Sequence, residues 1–377
     1  MKKTVLLLCI SLMLTGCIAE RPTGLIEPSG EDAAADDWCS AYGEWLYKCI
    51  NDEKNDFTEN SAFSLYDINN DSIPELFISE DYCHAAGCRI YTYDKYVGHL
   101  GEYGSNGVVY FHPDTNYIYS GYTGQGVTNS SYYRLENGDL KECASFYDNK
   151  GSLQKTGYRI NDNAVTKEEY EQAHKEYMGG YKKELGRDFP LTESFADAAL
   201  MPCSDWKEAY TKLLYSLSET EFITQGGGFS VYDITGDSIP ELFIARDSVR
   251  ASQCYIYTFD NTVKALGEYG SYGNVVYSPK SNLMNTYDLH QGYEYTTYYR
   301  LGKYDLFEKE ISFFNNLGGA ETEADVQYTI NGTDVSDKEY QSTLEAYKDE
   351  NSLPLGLDYK VSKEDIDKAF EEYVNNK

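Results

Sequence analysis

Two helices are predicted by apolar side chains that recur every three or four residues along the chain. The two stripes consist of Trp38, Tyr42, Trp45, Leu46, Cys49 and Ile50, and of Trp206, Tyr210, Leu213, Leu214 and Leu217. Asp37 precedes the first stripe, and Ser204 or Asp205 precedes the second, where a side-chain oxygen can accept the free amide hydrogens of a first turn. We expect each helix to bury one face in a hydrophobic core.

Short segments rich in Tyr, Ile, Val, Phe and Thr follow the first helix, and Gly, Asn and Asp separate them. In the first half of the chain these segments cover residues 63–67, 75–79, 88–93, 108–112, 116–122, 129–135, 140–147 and 157–160. The first group of residues favours strands and the second favours tight turns. The pattern predicts an antiparallel meander, in which each strand pairs with the next.

A further helix is predicted after the strands of each half. Thr166 and Glu169 have the spacing of a capping box, as do Ser336 and Glu339. Residues at helical spacing follow each box, namely Tyr170, Ala173, Tyr177 and Tyr181, and Tyr340, Leu344 and Tyr347. A meander sheet flanked by an N-terminal and a C-terminal helix belongs to the α+β class.

The chain also contains an internal repeat. Residues 63–107 match residues 229–273 without gaps at 28 of 45 positions, which chance does not produce. A repeat of about 165 residues has the size of a domain, so it indicates tandem domains and not a solenoid. We predict repeat modules at 37–200 and 201–377, preceded by a signal peptide at 1–16 and a tether at 17–36.

The N-terminus predicts where the protein is located. Its sequence, MKKTVLLLCISLMLTGC, has two lysines, an apolar run from Val5 to Leu14 and small residues before Cys17. This is the layout of a secretory signal, and the run is too short to span a bilayer. The LTGC segment resembles the lipobox of bacterial lipoproteins, which implies cleavage before Cys17 and acylation of this residue. An ordinary secretory signal with an incidental cysteine is the alternative.

The lipobox resemblance implies a protein that lies outside the cytoplasm and is held to a bacterial membrane by lipid alone. Composition then limits its partners, since 32 basic and 62 acidic residues give a formal charge of −30. A nucleic-acid partner is not expected, because phosphate recognition needs clustered Lys and Arg. The 38 tyrosines make the chain too aromatic for an acidic disordered tail, so we expect it to fold.

An acidic loop lies in the part of the repeat that matches best. Asp67, Asn69, Asp71, the Ile73 carbonyl and Glu75 occupy alternate positions, one to nine. Alternate positions of a tight turn converge, and Ca²⁺ prefers oxygen ligands of this kind. The sequence therefore predicts a calcium site. Its alternative is a hairpin in which the Asp and Asn side chains bond to backbone amides.

The second repeat carries the same loop with Asp233, Thr235, Asp237, the Ile239 carbonyl and Glu241. Its threonine offers a hydroxyl in place of an amide oxygen, so we expect weaker calcium binding there. Strand-like flanks distinguish both loops from EF-hands. They resemble the Asp/Asn loops in the FG-GAP repeats of integrin-type propellers. Together with the lipobox, the YDINxDxIPELxI segment also resembles uncharacterised surface lipoproteins of bacteria, a resemblance that implies no activity.

Tyrosine-rich strands repeat in both halves and suggest a binding surface. Exposed tyrosines can stack on sugar rings or anchor a protein partner. The tyrosines that we expect to contact a ligand are Tyr122, Tyr132, Tyr133, Tyr293 and Tyr298. In the alternative, these residues only fill positions on a half-buried sheet. The function predicted from the sequence is a calcium-stabilised surface binding protein that recognises a glycan or a protein.

The sequence gives no motif for catalysis. It lacks HExxH, GxSxG and a phosphate-binding glycine loop. An extracytoplasmic hydrolase that acts on glycan, cell wall or peptide remains the alternative function, because paired carboxylates leave no sequence motif. Cys83 and Cys88 are close enough in sequence to form a disulfide, or to bind zinc with His84. Cys88 and Cys254 occupy equivalent positions, where we expect small buried side chains.

Overall fold

The three-dimensional structure is a computed structural model. It describes residues 37–52, 57–81, 83, 86–106, 108–124, 126–149, 157–224, 226–302, 305, 307–320, 322 and 325–375. The predictions for the signal peptide, for Cys17 and its lipid, for the tether and for His84 lie outside these residues. Within the described ranges, no helix is both long enough and apolar enough to cross a membrane.

The first half of the chain contains three helices and twelve strands among its described residues. The helices are α1 (Trp38–Asn51), α2 (Lys167–Met178) and α3 (Glu193–Leu200). The strands are β1 (Ala62–Tyr66), β2 (Glu75–Ser79), β3 (Cys88–Asp94), β4 (Tyr96–Tyr103), β5 (Val109–His112), β6 (Tyr117–Gly124), β7 (Val127–Glu136), β8 (Asp139–Asn149), β9 (Gly157–Ile160), β10 (Asn163–Val165), β11 (Lys183–Leu185) and β12 (Phe189–Pro190).

The second half has a corresponding series of elements. The helices are α4 (Trp206–Ser218), α5 (Asp337–Tyr347) and α6 (Lys363–Asn375). The strands are β13 (Gly228–Tyr232), β14 (Glu241–Ala245), β15 (Cys254–Asp260), β16 (Thr262–Tyr269), β17 (Val275–Ser278), β18 (Leu283–His290), β19 (Tyr293–Leu301), β20 (Phe307–Asn315), β21 (Tyr328–Ile330), β22 (Thr333–Asp334) and β23 (Leu353–Leu355).

The chain has the expected α+β class, with mostly antiparallel sheets and six helices in the part that the structure describes. Each half forms two sheets, however, where the sequence predicted one. The strand orders are β12-β1-β2-β3-β4 and β10-β9-β8-β7-β6-β5-β11 in the first half, and β13-β14-β15-β16 and β22-β21-β20-β19-β18-β17-β23 in the second. We call these the small and the large sheet of each half.

The repeated Glu-Tyr-Gly-Ser segment explains why the meander divides into two sheets. Gly104 follows β4 with φ of 79°, and a Cβ atom there would collide with the Val108 carbonyl. The Ser105 hydroxyl donates to the Gly121 carbonyl at 2.9 Å, which ties the turn to the large sheet. Gly270 has the same conformation in the second half. The segment therefore forms a corner that only glycine permits.

The small sheet of the first half is buried on both faces. Phe63 and Ile78 face the helices, while Phe77 and Ile90 face the large sheet. Helix α2 covers the opposite face of the large sheet through Tyr170. The layers therefore follow the order helices, small sheet, large sheet, helix. Burial on both faces also explains why Leu76, Phe77 and Ile78 follow one another in β2 without a polar residue between them.

The helix caps agree with the sequence predictions, except that Ser336 on α5 makes only the first bond of the predicted capping box, by accepting the Glu339 amide hydrogen at 3.2 Å. Asp37 caps α1 by accepting the Ser40 amide hydrogen at 2.7 Å, and Asp205 caps α4. Thr166 and Glu169 form both hydrogen bonds of a capping box on α2. The prediction that such a helix closes each half was wrong, because β11, β12 and α3 follow α2, while β23 and α6 follow α5.

Helices α1, α3, α4 and α6 share one hydrophobic core with the two small sheets. Helix α3 packs between α1 and α4. Its buried Phe195 lies 5.8 Å from the ring of Tyr257 in β15, and Phe189 stacks on the same ring at 5.4 Å. The Ser194 and Ser216 hydroxyls are 2.6 Å apart. The last helix of the first half is thus part of the core of the second.

Candidate functional site

The first acidic loop is closed by hydrogen bonds from its own backbone. Asp67 Oδ1 accepts the amide hydrogens of Asn70 at 2.7 Å and Asp71 at 3.2 Å, and its Oδ2 accepts that of Ser72 at 2.9 Å. Asn70 and Ser72 adopt positive φ angles of 62° and 72°. Asp71 Oδ1 accepts the Ile73 amide hydrogen at 2.8 Å. These are the bonds that the hairpin alternative describes.

Glu75, which the sequence predicts as the ninth-position ligand, is turned into the core. Its side chain is buried between the small and the large sheet, where Oε2 accepts the Ile68 amide hydrogen and Oε1 the Thr92 hydroxyl, both at 3.2 Å. Burial raises the pKa of Glu75 to about 7, and the negative charges of Asp71 and Asp67 act in the same direction. In this conformation the carboxylate stabilises the loop by accepting the backbone amide hydrogen of Ile68.

The second loop repeats this arrangement. Asp233 accepts the amide hydrogens of Gly236 at 2.6 Å and Ser238 at 3.1 Å. Glu241 is buried and accepts the Ile234 amide hydrogen at 2.8 Å and the Thr258 hydroxyl at 3.2 Å. Burial raises the pKa of Glu241 to about 7 as well. The prediction that Glu75 and Glu241 point toward a metal is therefore corrected in both loops.

The remaining predicted ligands lie at the exposed tips of the loops. They are Asp67, Asn69, Asp71 and the Ile73 carbonyl, and Asp233, Thr235, Asp237 and the Ile239 carbonyl. Thr235 donates its hydroxyl hydrogen to Asp233 Oδ1 at 3.4 Å. Among the described residues, no group of three or more His, Cys, Asp or Glu side chains is arranged to hold a metal ion. The loop tips therefore offer oxygen ligands of the kind that calcium prefers, but Glu75 and Glu241 are not among them.

The tyrosines predicted to bind a ligand fall into two groups. Tyr132 and Tyr298 are buried against α2 and α5, with ring distances of 4.9 Å to Tyr177 and 5.1 Å to Tyr347. These two predictions are corrected, because a ligand at the surface cannot reach either ring. Tyr133 is partly buried and packs on Tyr103 at 4.9 Å.

Tyr122 and Tyr293 are exposed, at 49% and 40% of their surface. Tyr293 belongs to a group of three rings on the face of the second large sheet that is turned away from helix α5, which we call the aromatic face. It consists of Tyr293, Tyr295 and Phe314. The Phe314 ring lies 6.1 Å from Tyr293, with nearly parallel planes, and 4.9 Å from Tyr295. Tyr295 is 48% exposed and was not singled out from the sequence.

Polar groups border the aromatic face. Asp288 in β18 pairs directly with Tyr295 in β19, and His290 pairs with Tyr293. Arg250 forms two hydrogen bonds to the Asp288 carboxylate, at 2.9 and 2.7 Å. The corresponding positions of the first large sheet, one repeat length earlier, hold Val127 and Asn129. The aromatic face is therefore specific to the second half.

Comparisons with known proteins add no family. No protein-family model and no curated protein matches the sequence. Matched solved structures include the GH62 α-L-arabinofuranosidase catalytic domain of Coprinopsis cinerea (TM-score 0.15, 9% identity) and the α-L-arabinofuranosidase PaAbf62A of Podospora anserina (0.15, 13%). Each alignment covers 74% of this chain and 73% of the other.

A thermostable family-43 glycoside hydrolase also matches, with a TM-score of 0.13 and 9% identity over 70% of this chain and 72% of that one. A TM-score this low marks no shared fold. These three likenesses therefore carry no argument about the fold or the activity of this protein, and the functional site rests on its own geometry.

The seven cysteines after Cys17 are free thiols in the structure. Cys88 and Cys254 are fully buried at the starts of β3 and β15, as expected. Cys83 is exposed and makes no disulfide with Cys88. Because Cys88 belongs to the core between the sheets, the predicted disulfide does not describe this arrangement. The zinc alternative also involves His84, which lies outside the described residues.

Proposed function

We propose that the protein is a surface binding protein that recognises glycans through its aromatic face. The observation that carries the proposal is the contact of three aromatic rings, two of them on exposed tyrosines, on one face of a rigid sheet. Tyrosine rings on a sheet need little ordering on binding, because each has only two side-chain torsions to fix. A sheet also holds its binding residues more precisely than a loop does.

The chemistry around the rings favours sugars over an apolar protein surface. A pyranose has an apolar face of C–H groups that stacks on an aromatic ring, and its hydroxyls need polar partners at the rim. Asp288, Arg250 and His290 lie in suitable positions to supply such partners. A protein interface of the usual size would need a far larger contiguous apolar patch than these rings provide.

We further propose that the protein consists of two copies of one module and is lipid-anchored outside the cytoplasm. The sequence repeat, the two matching large-sheet orders and the matching loops support the duplication. The LTGC segment supports a lipid on Cys17. Labelling with radioactive palmitate in a bacterial host tests the anchor, because a Cys17→Ser chain should remain unlabelled and leave the membrane fraction.

A glycan array probed with the purified protein tests the proposed function, followed by calorimetry on each sugar that binds. The informative variant is Tyr293→Val with Tyr295→Asn, because it installs the residues of the first half, which forms a sheet of the same order. We expect this variant to fold normally and to lose glycan binding by about tenfold or more, which corresponds to about 1.4 kcal/mol.

The control is Tyr287→Ala, which removes an exposed tyrosine from the opposite face of the same sheet. It should leave glycan binding unchanged. No binding across the array, or equal loss of binding in the control and the double variant, would contradict recognition by the aromatic face.

A further inference from the structure

A cleft of about 470 Å³ lies where the first acidic loop faces the β15–β16 hairpin of the second half. The charged residues that line it are Asp67, Lys183, Asp188, Asp260, Lys264 and Asp305. Trp38, Tyr66 and Phe189 add aromatic surface. A volume of this size is typical of small-molecule sites, which combine an apolar wall with a few polar groups.

Lys183 is the buried charge of the cleft. Its Nζ atom lies 3.2 Å from Asp188 Oδ1, and both side chains are only 9% exposed. The same ammonium lies 5.8 Å from the centre of the Tyr66 ring. An ammonium has three hydrogens to donate, and the described residues accept one of them, which leaves two for a ligand or for water.

The second half of the chain shows that the fold does not need this ion pair. Lys183 pairs with Phe111 in the first large sheet, and Leu353 pairs with Tyr277 in the second. The equivalent of the lysine is therefore a leucine. Buried ion pairs add little to stability compared with apolar residues. A lysine at this position thus points to a role other than folding.

Lys264 lies on the hairpin that forms the opposite wall, and it too is replaced by an uncharged residue in the other half. Its counterpart in the first half is Gly98, and neither Gly98 nor Leu353 lines the cleft. The aspartates of the cleft, in contrast, are present in both halves, because Asp67, Asp188 and Asp260 correspond to Asp233, Asp358 and Asp94. The cleft therefore contains two lysines that the corresponding positions of the other half lack, although the whole chain has a formal charge of −30.

We propose that this cleft binds a small zwitterion, an amino acid or a dipeptide. Lys183 and Lys264 bind its carboxylate, Asp260 and Asp305 bind its ammonium group, and the aromatic wall packs against its side chain. A simple anion would be repelled by the four aspartates, and a simple cation would be repelled by Lys183 and Lys264 and would leave their remaining donors unused. The site is separate from the aromatic face and independent of the proposed glycan binding.

Calorimetry with glycyl-phenylalanine on the purified protein tests this inference. N-acetyl-phenylalanine, which carries only the negative charge, and phenylalaninamide, which carries only the positive charge, are the matched probes. We expect the dipeptide to bind about tenfold or more tightly than either. Lys264→Gly and Lys183→Leu, which install the residues of the other half, should each weaken dipeptide binding by about tenfold.

Lys95→Asn is the control, because it removes an exposed lysine from the β3–β4 hairpin and installs its counterpart, Asn261. It should leave dipeptide binding unchanged. If Lys183→Leu does not fold, Lys264→Gly and the singly charged probes still decide the question. No heat from the dipeptide at millimolar concentration overturns the proposal. Equal binding of a singly charged probe, or unaltered binding in Lys264→Gly, overturns it as well.

Discussion

At the scale of single residues, Glu75 and Glu241 show how side-chain direction decides a role that spacing leaves open. Each glutamate begins the second strand of a small sheet, and side chains two positions apart share a face. Glu75 therefore faces the same way as Phe77, into the core between the sheets. The spacing of Glu75 from Asp67 fits a calcium loop. However, side chains alternate between the two faces of β2, and this alternation places the Glu75 carboxylate in the core and not at the loop tip.

The buried glutamates predict a stability that falls as the pH rises. Their pKa of about 7 in the folded protein lies above the ordinary value of 4.5, so the folded state holds these protons more tightly. Their contribution is fully present below about pH 4.5 and is lost as the pH rises through about 7. Over this range the free energy of unfolding of the Glu75→Gln variant, measured by chemical denaturation, should decline by about 3 kcal/mol less than that of the native protein.

Glutamine preserves the hydrogen bonds of Glu75, since its carbonyl oxygen can accept the Ile68 amide hydrogen and its NH₂ group can donate to Thr92. The exposed Glu59→Gln is the control and should retain the pH dependence of the native protein. An unchanged decline in the Glu75→Gln variant would refute the assignment.

Tyrosine placement follows the same alternation. Tyr293 and Tyr295 share one face of β19, and Tyr298 necessarily faces the other way. The sequence alone could have assigned Tyr293 and Tyr295 to one face and Tyr298 to the other, because side chains two positions apart in a strand share a face. It could not indicate which face meets the helix α5, because that depends on where the chain returns after β22.

At the scale of elements, the two acidic loops form a natural pair for a test of calcium binding. Because Asn69 offers an amide oxygen where Thr235 offers a hydroxyl, the first loop should bind Ca²⁺ more tightly, at roughly 10⁻⁴–10⁻³ M. Exchange of the two residues should reverse the order, so that Asn69→Thr weakens the first site and Thr235→Asn strengthens the second. Calorimetry with Ca²⁺ measures both.

Magnesium is the control for the calcium titration, since it demands a stricter octahedral geometry and retains its water. Absence of heat from millimolar Ca²⁺, together with an unchanged melting temperature, would leave both loops as hairpins closed by backbone amides.

The elements that the sequence predicted depend on residues close together in the chain, whereas the elements that it missed depend on contacts with distant residues. The caps of α1 and α2 depend on residues three positions apart, so the sequence located both. Helix α3 has only eight residues, so its apolar positions do not recur over several turns, and Thr192 before it forms no side-chain cap hydrogen bond. β11 and β12 are short strands at sheet edges, and their partners lie far away in sequence.

At the scale of the whole molecule, the shared core predicts that the two halves do not unfold independently. Phe195 in α3 is fully buried and contacts Phe222 and Tyr257 of the second half. Phe195→Ala should cost about 3–5 kcal/mol. Hydrogen exchange should show reduced protection in β1 and β2 and also in β15 and β16.

Phe370→Ala is the matched control, because Phe370 is fully buried but its ring contacts Trp206 and Phe229, both in the second half. Its loss of protection should be greatest in α4, α6 and β13. If Phe195→Ala reduced protection only between residues 37 and 200, the halves would be independent domains that merely touch.

The sequence by itself determined the features that depend on neighbouring residues or on self-comparison. These are the α+β class, the helix caps, most strands, the repeat and the position of the acidic loops. Tertiary structure alone decided which side chains meet: the glutamates under the loops, the aromatic face, the core across α3 and the cleft with Lys183. Such contacts join residues far apart in the chain, and local patterns hold no information about their partners.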